Sequence, residues 1–203
     1  MTAILMVAAL LGAATSGVRP AERTAVFAGG CYWGVESVFE HVRGVKSAIS
    51  GFAFADTSAR SPDGTAPRGS YAEAVSVVYD PSQVSYEQLL DIFFLVTHDP
   101  TQRDRQGPDV GPQYRSVVFT GGDEQQETVL AYLARLRANG TYDGPIVTEV
   151  APLRAFRPVD ASQQDYAAHH PTEPYIVIND APKLAALQHR FPALYRREET
   201  TRR

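Results

Sequence analysis

The chain has 203 residues, enough for one domain with a sizeable core, and its 44% hydrophobic and 21% charged content is that of an ordinary globular protein. A net charge of −4, with no Lys/Arg run before the last few residues, gives no support to a nucleic-acid partner. One cysteine excludes an intrachain disulfide and a cysteine-based zinc site, and leaves nothing in the chain to resolve an oxidised thiol.

Residues 1–20 differ from the rest. Ala3 to Leu11 is an apolar run followed by small residues from Gly12 to Gly17, the h-region and cleavage-site pattern of a secretory signal, and too short to span a bilayer. No Lys or Arg accompanies Met1 and Thr2, so a mis-assigned start or a disordered extension is the other reading. The pattern favours export: periplasmic or secreted if the leader is cleaved, cytoplasmic otherwise. Residues 21–203 are then expected to form one domain with a helical C-terminal extension.

Thr24 to Ala28 reads as a strand, and Gly34 to Val42, with Val35, Val38, Phe39 and Val42 on one stripe, as a helix ended by Arg43-Gly44. Between them, Gly29-Gly30-Cys31-Tyr32-Trp33 carries the lone cysteine and the lone tryptophan. A buried cysteine acting as a small apolar filler is the bland alternative. The glycines, the strand-to-helix position and the aromatic neighbours point instead to a reactive thiol, its pKa lowered at a helix N-terminus.

Val45 to Phe54 is expected as a second strand, broken at Gly51, followed by a long surface loop, Ala55 to Ser70, that is either functional or disordered. Glu73 to Asp80 alternates as a strand, with Glu73 on the face of Val75, Val77 and Tyr79. A carboxylate there is either an exposed strand end or out of place in a core; the pattern leaves both open. Ser85 and Gln88 form a capping box for a helix through Val96 that stops at His98-Asp99-Pro100.

Thr101 to Gln113 reads as a rigid loop, with Asp109 and Tyr114 at its end either projecting onto a site or serving as turn and edge residues. Tyr114 to Phe119 is the next strand. Asp123 to Ala138 is a helix with Val129, Leu130, Leu133 and Leu136 inward. Ile146 to Val150 is a strand, Asp160 to Ala168 a short capped helix, and Pro182 to Arg190 a final helix. His169 and His170 point about 100° apart on a helix, so no metal site is expected. The element order predicts an α+β two-layer sandwich, a mixed or antiparallel sheet with helices packed on it.

Gly30-Cys31-Tyr32-Trp33-Gly34 resembles the Gly-Cys-Phe-Trp-Gly signature of the peptide methionine sulfoxide reductase A family. The likeness continues through Ala72-Glu73-Ala74-Val75, Val78-Tyr79-Asp80-Pro81, His98-Asp99-Pro100-Thr101-Gln102 and Arg105 to Ser116, covering roughly residues 24 to 170. The resemblance implies a ferredoxin-like core and reduction of the S-epimer of methionine sulfoxide, free or in oxidised proteins, as protein repair in the oxidative stress response. It implies Cys31 as the nucleophile that becomes a sulfenic acid, Glu73 as a buried, protonated acid, Tyr114 as a donor to the sulfoxide oxygen, and Asp109 as an orienting group. Tyr32 and Trp33 match the aromatic pocket for the S-methyl group. No bound cofactor is implied; the reductant would be an external thiol, thioredoxin-like, glutaredoxin-like or small. No stable membrane association is expected, and the chain is expected to act as a monomer.

Five departures stand out. Tyr32 replaces a Phe, and Gln163 a histidine. Gly51-Phe52-Ala53-Phe54 stands where the family has Gly-Tyr-x-Gly-Gly, and no tyrosine occurs between Tyr32 and Tyr71 to supply the family's second oxygen-binding hydroxyl. Tyr71, where the family has His, is the candidate to replace it. Two rival readings accompany this one: a cysteine hydrolase, and a divergent relative that binds methionine-bearing peptides without turnover.

Overall fold

The computed structural model describes residues 21–56 and 70–197. The expected leader and most of the 55–70 loop lie outside the described residues. Among the described residues, eight strands and five α-helices follow in the order β1 (Arg23–Ala28), α1 (Tyr32–Glu40), β2 (Val45–Phe54), β3 (Tyr71–Tyr79), α2 (Tyr86–Ile92), β4 (Arg105–Gln106), β5 (Asp109–Val110), β6 (Val117–Thr120), α3 (Asp123–Ala138), β7 (Glu149–Pro152), β8 (Ala155–Pro158), α4 (Tyr166–His169) and α5 (Ala181–Arg190). Six strands make one mixed sheet in the order β7-β6-β1-β3-β2-β8, antiparallel except for the β6–β7 pair. This is the expected α+β arrangement.

Alternation in β1 and β3 sends Phe27, Val75, Val77 and Tyr79 into a core shared with Val35, Val38 and Phe39 of α1 and with Leu89 and Leu90 of α2. The opposite face closes over a smaller cluster, including Val26, Ala74 and Phe119. Ser85 caps α2 as the sequence requires, accepting from Gln88 N while the Gln88 side chain accepts from Ser85 N; such a cap contributes about 1 kcal/mol.

Several expectations need correction. β2 runs unbroken through Gly51, which pairs with Ala74 and Pro158; its irregularity falls between Val45 and Ser47. A Cβ on Gly51 would stand 2.5 Å from the Arg157 carbonyl oxygen, so the glycine permits close strand approach rather than a break. The segment read as loop 101–113 contains the β4–β5 hairpin, and Tyr114 lies on a 3-10 turn, Pro112–Tyr114, before β6 begins at Val117. On α3, Leu130 is exposed and Tyr132 takes the buried place, its hydroxyl donating to Asp91. β7 starts at Glu149 rather than Ile146. The expected helix 160–168 is interrupted: a 3-10 turn, Ala161–Gln163, precedes left-handed Asp165 at φ 51°, and α4 begins only at Tyr166.

Candidate active site

Three neighbouring strands, β6, β1 and β3, bring their ends together at one end of the sheet. Phe27 pairs with Val75 and Ala28 with Val117, so the turn after β1 lies beside the start of β3 and the approach to β6. That register brings Cys31, Glu73 and Tyr114 together from three separate stretches. The turn itself is tightly clamped. A Cβ on Gly29 would meet the Phe93 and His98 rings, and Gly30, at φ +94°, backs onto the Gln106 side chain. Gln106 in turn accepts from Asp99 N at 3.1 Å, tying the β4–β5 hairpin to this turn. His98 is a neutral brace, its pKa lowered to about 4 chiefly by burial, bridging the Phe93 carbonyl oxygen and Ser116 Oγ.

Cys31 is the N-cap of α1 and is buried. Burial pushes its thiol well above the ordinary range, and a facing Glu73 carboxylate adds to this; the Trp33 N–H and the Tyr175 hydroxyl pull in the opposite direction. The helix N-terminus therefore does not lower the pKa overall, as the sequence position alone led us to expect, because desolvation of the thiolate outweighs it.

Glu73 is an interior residue of β3 and not an exposed end. Its Oε2 accepts from the backbone N–H of Tyr32 at 3.4 Å. Burial raises its carboxyl to about 8, against that hydrogen bond, so the acid keeps its proton at neutral pH. Tyr114 is held nearby. Its phenol is raised to about 12, first by burial and then by Glu73, with Asp109 and Cys31 adding smaller shares. Arg115 fixes its turn, donating from Nη1 to the Tyr71 carbonyl oxygen at 2.7 Å and to the Pro112 carbonyl oxygen at 2.9 Å.

The aromatic residues form a continuous group around the turn. Tyr166 stacks on Trp33 at 3.8 Å, and Tyr32 stands edge-on to both Trp33 and Phe52. Tyr71 packs its ring on Phe52 and Phe54. Tyr175 stands edge-on to Trp33 and its hydroxyl donates to Asp109 Oδ2 at 2.5 Å.

Four residues escaped the sequence reading. Besides Tyr175 and Tyr166, Asp180 lies against the first turn of α1, where a Cβ on Gly34 would stand 2.0 Å from its Oδ1. Glu36, beside the apolar stripe of α1, accepts from Ser50 N and Asp165 N, both at 3.1 Å, and so anchors the bend that delivers Tyr166. The signal for Glu36 was a carboxylate on the core side of a helix; nothing local distinguishes Tyr175.

A model of the family described as peptide methionine sulfoxide reductase matches residues 23–194. The chain is 46% identical over 178 residues to peptide methionine sulfoxide reductase MsrA 2 of Mesorhizobium japonicum, covering 87% of this chain and 91% of the relative. Its fold is similar to that of methionine sulfoxide reductase A of Corynebacterium diphtheriae, with a TM-score of 0.61 and 34% identity over 75% of this chain and 77% of the other. Reduced Mxr1 from Saccharomyces cerevisiae gives a TM-score of 0.65 at 25% identity, covering 74% and 87%. A family match along nearly all of the described residues, with a relative 46% identical over most of both chains, leaves one conclusion: the chain belongs to the peptide methionine sulfoxide reductase family.

Proposed function

We propose that this chain reduces the S-epimer of methionine sulfoxide, in oxidised proteins or free, to methionine. The observation that carries the reading is a carboxyl kept protonated at neutral pH, Glu73, hydrogen-bonded to the turn that holds the lone cysteine. A sulfoxide oxygen is a poor leaving group until it is protonated, and a buried neutral acid is what that step needs.

The reactive form carries one proton on the pair, a thiolate at Cys31 and a carboxylic acid at Glu73. Cys31 Sγ attacks the sulfoxide sulfur while Glu73 gives its proton to the oxygen. The substrate S–O bond breaks and oxygen passes to Sγ, giving methionine and a cysteine sulfenic acid. The sulfoxide is reduced by two electrons and the cysteine is oxidised by two. Tyr114 donates a hydrogen bond to the oxygen, and the Tyr32–Trp33 group receives the S-methyl end.

With no second cysteine in the chain, the sulfenic acid is cleared by external thiols: two thiols give up their hydrogens, forming a disulfide and water and restoring Cys31. Yeast Mxr1 has been solved in complex with Trx2. For this chain a thioredoxin-like protein or a small thiol is proposed on the chemistry of its lone cysteine. Turnover of separated S- and R-methionine sulfoxide with dithiothreitol as reductant tests the reading. Methionine is expected from the S-epimer alone; equal use of both epimers, or of neither, would overturn it.

A further inference from the structure

We infer that Glu36 is a positioning residue for substrate binding: its carboxyl holds the bend that sets Tyr166 on Trp33, and so fixes the aromatic wall that receives the S-methyl end of the sulfoxide. The use of the wall rests on the reductase reading; its placement by Glu36 does not.

The backbone is strained at the residue before Tyr166. Asp165 sits at φ 51°, one of two non-glycine residues in the left-handed region among the described residues. Aspartate enters that region more readily than most residues, but the conformation still needs its surroundings to hold it. The Asp165 backbone N–H donates to Glu36 Oε2 at 3.1 Å, and the other oxygen, Oε1, accepts from Ser50 N at 3.1 Å. Glu36 itself is 1% exposed. One buried carboxyl thus ties α1 to β2 and to the residue that opens α4.

The neighbouring bonds show what Glu36 adds. Gln164 also binds Ser50, its Oε1 accepting from Ser50 N at 2.9 Å and its Nε2 donating to the carbonyl oxygens of Ser50 at 2.9 Å and Val159 at 3.1 Å. Residue 164 is therefore tied to β2 without Glu36, whereas the turn at Asp165 that aims Tyr166 is tied by Glu36. Further on, the Tyr166 hydroxyl donates to Glu173 Oε2 at 2.7 Å and its ring stacks on His170 at 4.0 Å. Both partners belong to the same short segment, so they stiffen it without fastening it to α1. The ring that Tyr166 meets is Trp33, with centroids 3.8 Å apart and planes 8° apart. Trp33 and Glu36 stand at i and i+3 on α1, where side chains are neighbours. The carboxyl that grips the bend and the ring that receives Tyr166 therefore share one turn of the helix that Cys31 caps.

The test uses the full chain, whose only tryptophan is Trp33, so tryptophan emission reads the stack without any substrate. Glu36→Leu leaves the Asp165 N–H without its acceptor. It is expected to shift Trp33 emission to the red and to increase its quenching by acrylamide. With dithiothreitol as reductant, KM for free S-methionine sulfoxide is expected to rise about fivefold, in keeping with the loss of one aromatic pair, while kcat stays within about twofold. Glu36→Gln keeps one oxygen for Asp165 N, since Ser50 N retains Gln164, and is expected to hold emission and KM near the parental values. Parental emission or parental KM in Glu36→Leu overturns the proposal, as does a kcat loss as large as the rise in KM. A Glu36→Gln variant as impaired as Glu36→Leu overturns it too. Should Glu36→Leu fail to fold, Glu36→Asp replaces it: one methylene shorter, its carboxylate withdraws from Asp165 N, and parental emission and KM there overturn the proposal. No methionine from the parent protein would sink the reductase reading alone, because Trp33 emission still decides whether Glu36 places Tyr166.

Discussion

The backbone N–H of Tyr32 points at Oε2 of Glu73 across 3.4 Å, so the acid is fastened to the first helical residue after the nucleophile. The pairing also sets which proton is in short supply. Glu73 titrates at about 8 and Cys31 well above it, so at neutral pH the acid is loaded and the thiol is not yet ionised.

The expected pH dependence follows from that order. The reactive form has one proton on the pair, whereas the resting form at pH 7 has two. Losing the first proton, near pH 8, creates the population that contains the thiolate–acid form. Accordingly, kcat/KM is expected to rise with pH to about 8 and then level off, and Glu73→Gln to lower it by roughly 10²–10⁴. A profile that falls from pH 6 to 8 would contradict the assignment.

Glu73→Gln also removes the negative charge facing Cys31. Alkylation of Cys31 by iodoacetamide above pH 8 is expected to be faster in this variant than in the parent, even though turnover is lost. Slowing of both would mean that Glu73 acts on the sulfur some other way.

Stability should carry the same signature. Glu36 and Glu73 are raised from 4.5 in the unfolded reference to about 7 and about 8, in both cases mainly by burial. Between these values the folded protein holds protons that the unfolded chain has lost, so stability falls as pH rises from about 5 to 9. Thermal melts across that range should show the fall, and Glu73→Gln, which cannot ionise, should show less of it. A melting temperature that climbs with pH would be inconsistent with two buried neutral acids.

Gly30 and Arg115 test the scaffold. Gly30→Ala would force a side chain into φ +94° with its Cβ 2.6 Å from Gln106 Cβ, a cost of about 1–3 kcal/mol and a displaced hairpin. Arg115→Met leaves the Tyr71 and Pro112 carbonyl oxygens without their donor and should cost about 1–3 kcal/mol in denaturant melts while lowering kcat through Tyr114.

The residues that could be read in the sequence are those whose chemistry is local. The Gly-Gly-Cys turn lies between a strand and an apolar stripe and can be read locally, whereas Glu73 on its valine face left an exposed strand end equally open until the resemblance was added. Helix α3 ends where Asn139-Gly140 stops it. What could not be read depends on tertiary structure. β8 is a short Ala-Phe-Arg-Pro segment that is a strand only because β2 offers it an edge. The 160–168 helix fails because Glu36 and Gln164 claim backbone and side-chain bonds around Ser50 and Asp165. Tyr175 meets Trp33 and Asp109 from far along the chain, and no spacing rule spans that distance.

The most direct measurement is a single turnover with S-methionine sulfoxide labelled at its oxygen, without reductant, followed by mass analysis of the protein and product. One methionine per chain is expected, with the labelled oxygen on Cys31 and release of that oxygen as water when a thiol is added. Methionine formed without oxygen on Cys31, or formed equally by Cys31→Ser, would contradict it.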